Sequence, residues 1–170
     1  MRNEAAWLDR SQALLLRGEE LQTRPLMNPP ATMPLSVVMV GGSHDLRVSL
    51  RALLRREPKF VLAGETETAA AALELVLRCQ PAIALIDVCL PDRSGFEVVK
   101  CIRQLAPGCA TIVLSNAPDP CVEDVARLLG AKEVWHKGND LGRLRQALRR
   151  LVPTVLNSPL PDSAFSLPRS

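Results

Sequence analysis

Ala82-Ile83-Ala84-Leu85-Ile86-Asp87 is an unbroken apolar run that ends on a carboxylate. An apolar run of this length with no polar alternation describes a strand buried on both faces, as in parallel sheets covered by helices on each side. The acid then stands at the carboxyl rim of the sheet, outside the core. Seven residues on, Ser94-x-x-Glu97 is a capping-box pattern ahead of Phe96, Val99 and Ile102 at helical spacing, so a helix follows the strand.

The same alternation extends in both directions. Upstream, Leu35 to Val40 predicts a first buried strand, and Ser43 is placed to cap a helix carrying Leu46, Leu50, Leu53 and Leu54. Phe60 to Ala63 predicts a short second strand, followed by a helix capped by Thr68 with Leu73, Val76 and Leu77 on one face. Downstream, Ala110 to Leu114 predicts a fourth strand. Asp119-Pro120 opens a helix that Gly130 closes. Lys132 to His136 predicts a weaker fifth strand, and Asn139 or Asp140 starts a last helix with Leu141, Leu144, Leu148 and Leu151 inward, stopped by Pro153. Five strand–helix units demand an α/β fold with a doubly wound parallel sheet.

Composition narrows the function classes. With 170 residues, 47% hydrophobic, the chain has enough apolar material for a core. A net charge of +3 is too mild to argue for nucleic-acid binding, and 3% aromatic residues with no Tyr argue against a base-stacking surface. No apolar run approaches the ~20 residues of a membrane helix. Glu4 and Asp9 before Leu14-Leu15-Leu16 do not suit a signal peptide. Cys79, Cys89, Cys101, Cys109 and Cys121 form no CxxC pair and no zinc spacing, and are read as reduced thiols of a cytoplasmic protein.

Residues 35–152 are expected to form the domain. Residues 1–34 read as an extension, with an amphipathic helix at 4–22 followed by a linker holding Pro25, Pro29, Pro30 and Pro34. Met33 stands immediately before the first strand, so a start there would deliver the whole domain. The stretch 153–170, with Pro153, Pro159, Pro161 and Pro168, is expected to be disordered.

In open α/β sheets ligands bind beyond the carboxyl ends of the strands. The residues there are Gly41-Gly42-Ser43, Glu65, Asp87, Ser115 and Lys137. A carboxylate can act as a phosphoryl-accepting nucleophile, and a hydroxyl and an ammonium can bind the oxygens of the transferred group. Val40-Gly41-Gly42-Ser43 also allows a nucleotide-binding loop, although it lacks the third glycine of GxGxxG and a Walker-A lysine.

Residues 82–97, taken with Ala63-Gly64-Glu65, Val113-Leu114-Ser115 and Gly130-Ala131 six residues before Lys137, resemble the receiver domains of bacterial two-component response regulators. The style is CheY-like and closest to the LuxR/NarL-type regulators, and the resemblance spans Leu35–Val152. It implies a flavodoxin/CheY-like fold with strand order 2-1-3-4-5 and a signalling role that is not enzymatic. Asp87 would be the phosphoacceptor, Ser115 the switch hydroxyl and Lys137 the phosphoryl contact. The partner would be a sensor histidine kinase or phosphotransfer protein. Cys89 would offer its backbone carbonyl to Mg²⁺. Val134 stands where many receivers carry the aromatic switch residue, with Trp135 beside it as a stand-in.

The sequence departs from the family at the end of the first strand. Receivers place an acidic pair there to bind Mg²⁺, and here the aligned residues are Gly41 and Gly42. Mg²⁺ needs oxygen ligands, which glycine side chains do not supply. Glu65 is the best substitute acid, ahead of Asp45 and Asp92. Losing the pair also leaves Lys137 with Asp87 as its main partner. The alternative function is therefore a phosphorylation-independent pseudo-receiver that acts as a protein-interaction module. Arg143, Arg145, Arg149 and Arg150 make the last helix basic, which reads as a solvated face, and together with Val134 and Trp135 it offers a surface for a weak homodimer. The segment 153–170 is too short for a helix-turn-helix, so no direct DNA binding is expected.

Overall fold

The computed structural model describes residues 33–116 and 118–156. The expected helix at 4–22, the Pro-rich linker up to residue 32 and the tail beyond residue 156 lie outside the described residues.

Within them, strand and helix alternate: β1 Leu35–Val40, α1 His44–Arg55, β2 Phe60–Thr66, α2 Ala69–Cys79, β3 Ile83–Asp87, α3 Gly95–Leu105, β4 Ala110–Ser115, α4 Pro120–Leu129, β5 Glu133–His136 and α5 Leu141–Leu156. All neighbouring strands pair in parallel, in the order β2-β1-β3-β4-β5. Ser43, Thr68, Ser94 and Asp119 each accept a bond from a backbone N–H in the first turn of the helix that follows, as the sequence predicts.

Because side chains alternate along a strand, the central strands fill two separate cores. Leu35, Val37, Met39, Ile83, Leu85, Ile112, Leu114 and Trp135 face α1 and α5. Val38, Val40, Ala84, Ile86 and Val113 face α2, α3 and α4. Every residue of β3 and β4 is buried, which accounts for their largely apolar sequences, with Asp87, Thr111 and Ser115 as the buried polar exceptions.

The structure departs from the sequence reading at two element ends. β2 continues past Ala63 to Thr66, because Val38, Met39 and Val40 supply a ladder for Gly64, Glu65 and Thr66. The register shifts between Val37 and Val38, leaving Ala63 as the extra residue. α5 does not stop at Pro153 but runs through it to Leu156. Val152 and Val155 pack onto the α1/α5 core, and this contact offsets the single backbone bond that proline removes near the helix end.

Arg143, Arg145, Arg149 and Arg150 of α5 are exposed, as a solvated face should be, and three of them also pair with acids of neighbouring elements. Glu57, just beyond α1, is 4% exposed and is held by the Arg149 guanidinium at 3.0 to 3.1 Å, with Arg145 at 3.8 Å. Arg150 donates to Glu133 at 3.1 Å.

Candidate functional site

β3 delivers Asp87 to the carboxyl rim of the sheet, between β1 and β4. Its side chain is nearly closed off from solvent: Lys137 Nζ lies 2.6 Å from Oδ2, and the Cys89 N–H donates to Oδ1 at 3.0 Å. Lys137 is brought there by β5, and its backbone N–H is fixed by the Ser115 carbonyl at 2.8 Å. Ser115 ends β4 and is buried. Asp87, Ser115 and Lys137 therefore stand on three successive strand ends, as the sequence predicts.

Gly95 secures this arrangement from below. A Cβ there would sit 1.9 Å from the Asp87 carbonyl oxygen, so only glycine lets the first turn of α3 lie against the backbone of the acid.

A cavity of about 320 Å³ opens over Asp87, lined by Gly41, Gly42, Ser43, His44, Arg47, Glu67, Cys89, Pro91 and Lys137. Its first wall is the turn after β1. Gly41 and Gly42 have φ of +77° and +84°, the left-handed region that disfavours side chains. A Cβ on Gly41 would meet Leu90 Cδ2 at 2.3 Å and Asp87 Cβ at 2.8 Å. Leu90 and Asp87 therefore crowd the space beside Gly41, while Gly42 is less closely packed.

None of the three substitute acids named from the sequence lines the cavity. Glu65 faces α1, where the Arg51 Nε donates to it at 3.0 Å. The bulge at Ala63 and the register opposite Met39 put it on that face. Asp92 accepts the Ala69 and Ala70 N–H groups at the start of α2, at 2.9 and 3.2 Å. Asp45 lies in the first turn of α1. The acid that does reach the cavity is Glu67, paired with Arg47 at 2.7 Å. Both were missed. Arg47 sits one helical turn after Ser43, a spacing that would have marked it as facing the strand ends, but nothing local separates Glu67 from Glu65.

Mg²⁺ was the cofactor expected at this rim, and the residues present do not fit it. The carboxylates of the cavity are Asp87, held by Lys137, and Glu67, held by Arg47. Asp87 and the Cys89 carbonyl leave most of the roughly octahedral shell without protein oxygen. Among the described residues, no group of three or more His, Cys, Asp or Glu could hold a metal ion.

Trp135 does not stand in for the aromatic switch residue. It is 4% exposed in the α1/α5 core, whereas Val134 packs on the opposite face with α2, α3 and α4. Successive strand residues point to opposite faces, so adjacency in sequence does not make them exchangeable. His136, opposite Ser115 in the β4–β5 register, has its Nε2 3.1 Å from Glu123 Oε1.

The cysteines divide by depth. All five are free, with Cys89 and Cys121 exposed. Burial pushes the Cys109 thiol up to about 12, and it raises the Cys101 thiol, with Glu97 adding to the effect. No helix among the described residues is long and apolar enough to cross a membrane.

Comparison with known proteins agrees with this geometry. A protein-glutamate methylesterase/protein-glutamine glutaminase of Gluconobacter oxydans is 28% identical over 145 residues, covering 81% of this chain and 41% of that protein. The transcriptional regulatory protein DegU of Brevibacillus brevis is 25% identical over 115 residues, covering 68% of this chain and 49% of its own length. The chain thus spans less than half of either relative. In fold it is similar to a LuxR-family two-component response regulator from Aurantimonas, with TM-score 0.68, 23% identity, and coverage of 72% of this chain and 87% of that one. It is also similar to the response regulator domain of Thermotoga maritima CheB, with TM-score 0.65, 19% identity, and coverage of 75% and 100%. The model of the response regulator receiver domain matches residues 37–149. With Asp87, Ser115 and Lys137 on successive strand ends of a 2-1-3-4-5 sheet, this chain belongs to the response regulator receiver domain family.

Proposed function

We propose that the domain accepts a phosphoryl group on Asp87 from a sensor histidine kinase or a phosphotransfer protein in the cytoplasm, and passes on the change as a signal rather than as catalysis. The observation that carries this reading is the Lys137–Asp87 contact at 2.6 Å. An ammonium at this distance from Asp87 supports the reading, because phosphoryl transfer depends mainly on positioning and charge. The Ser115 hydroxyl, on the neighbouring strand end, is the group that would follow the new oxygens.

The reading is tested by incubating the protein with acetyl phosphate, with and without Mg²⁺, and recording intact mass. A gain of one phosphoryl group that is absent in Asp87→Asn is expected. No gain on folded protein would refute it.

A second reading is favoured by the same contact. A buried carboxylate already neutralised by Lys137 can hold one conformation without phosphate, and the domain would then act by docking alone. Under it, Asp87→Asn would alter partner binding with no phosphodonor present, and any self-association would be weak and independent of phosphate.

A further inference from the structure

The cavity over Asp87 carries two cations and two carboxylates arranged as two ion pairs, Lys137–Asp87 and Arg47–Glu67. The second pair is lopsided. The Arg47 side chain is 15% exposed and the Glu67 side chain 66%. The Nε of Arg47 is buried and has no hydrogen-bond partner, although a guanidinium offers five donors in a fork suited to a phosphate. The cavity is thus lined by a mostly buried cation whose partner acid is largely exposed to solvent.

We propose that Arg47, with Lys137, supplies the positive charge that a divalent cation supplies elsewhere in this family, so that the Asp87 pocket takes up a phosphoryl group without metal. This rests on the reading of Asp87 as the acceptor. In the step, an Asp87 carboxylate oxygen attacks the phosphorus of an acyl phosphate. An O–P bond forms to Asp87, the O–P bond to the donor's carboxylate breaks, and that carboxylate leaves with the electron pair. No proton moves and nothing is oxidised. The side chain at position 87 goes from one negative charge to about two, matched by Lys137 and by Arg47 once Glu67 turns into solvent. Gly41 and Gly42 bring no acidic side chain to the site, and Arg47 and Lys137 are the Arg and Lys side chains that line the cavity.

The experiment measures the initial rate of phosphorylation by acetyl phosphate, by intact mass, in excess EDTA and in millimolar Mg²⁺. The two rates are expected to agree within about twofold, and Arg47→Gln to lower the EDTA rate by about tenfold or more. Glu67→Gln frees the guanidinium and is expected to raise the EDTA rate severalfold, which keeps the test decisive should Arg47→Gln not fold. A gain that requires Mg²⁺ and ignores Arg47→Gln, or a Glu67→Gln rate at or below that of the parent, overturns the inference and leaves Asp87 as acceptor. No gain in either condition overturns both.

Discussion

Gly41→Ala isolates what the turn after β1 does, because it adds one methyl group and no charge. Two costs follow from the structure. At φ +77° an L-residue costs roughly 1–2 kcal/mol. The new Cβ would stand 2.3 Å from Leu90 Cδ2 and 2.8 Å from Asp87 Cβ. Leu90 can rotate away, but Asp87 Cβ is fixed by a strand buried along its whole length, and such overpacking costs about 1–3 kcal/mol. The total is about 2–5 kcal/mol, a large share of a typical stability of roughly 5–15 kcal/mol. Gly42→Ala is the internal control. Its φ is +84° and its Cβ would meet only the flexible Leu46 and Arg47 side chains, at 3.3 Å and beyond, so it should lose about 1–2 kcal/mol. Urea unfolding read by circular dichroism, with unchanged slopes, gives both values. Adding Leu90→Ala to Gly41→Ala should cost less than the sum of the single changes, since the first clash is gone. Equal losses for Gly41→Ala and Gly42→Ala would refute the claim that this turn is closed to side chains.

Other outcomes follow from the ion pairs and thiols. Lys137→Met leaves a carboxylate whose side chain is 4% exposed without its counter-ion, and should lower stability at neutral pH by about 3 kcal/mol; adding Asp87→Asn should recover much of that in the same unfolding assay. Arg149→Ala strips the fork from Glu57, leaves only Arg145 at 3.8 Å, and should lose about 2–3 kcal/mol, whereas Arg150→Ala, at a far more exposed pair, should lose under about 1 kcal/mol. Folded protein treated with iodoacetamide at mildly alkaline pH should be alkylated first at Cys89 and Cys121. Cys109, whose thiol burial pushes up to about 12, should stay protonated and react last, with the order read by peptide mass; early labelling of Cys109 would contradict its burial.

The sequence carried the sheet because β1, β3 and β4 are buried on both faces, and that burial leaves apolar stretches broken only by small polar residues such as Ser36 and Thr111. Asp87 and Ser115 were legible for a related reason, each being the first polar residue after the stretches 82–86 and 112–114. Lys137 instead follows the polar His136 of an edge strand and was legible from its spacing after Gly130-Ala131. Edge strands are less legible. β2 alternates exposed and half-buried positions, so its last three residues look like loop, and the bulge at Ala63 decides which face Glu65 takes. That register exists only against β1. The Arg47–Glu67 pair was hidden because it joins a helix to the residue after a strand twenty positions away, with no local pattern to announce it. Pro153 misled because a local rule about backbone bonding was overruled by Val152 and Val155 packing on a distant core. Trp135 misled because neighbours in a strand share a sequence position but not a face.

The most direct measurement is a chemical trap at position 87. Protein treated with acetyl phosphate and then with borohydride should yield, on peptide sequencing by mass spectrometry, homoserine in place of Asp87, since an acyl phosphate is reduced and a free carboxylate is not. Homoserine at position 87 and at no other Asp or Glu is the result this account expects. Unmodified Asp87 in protein shown to be folded would contradict it.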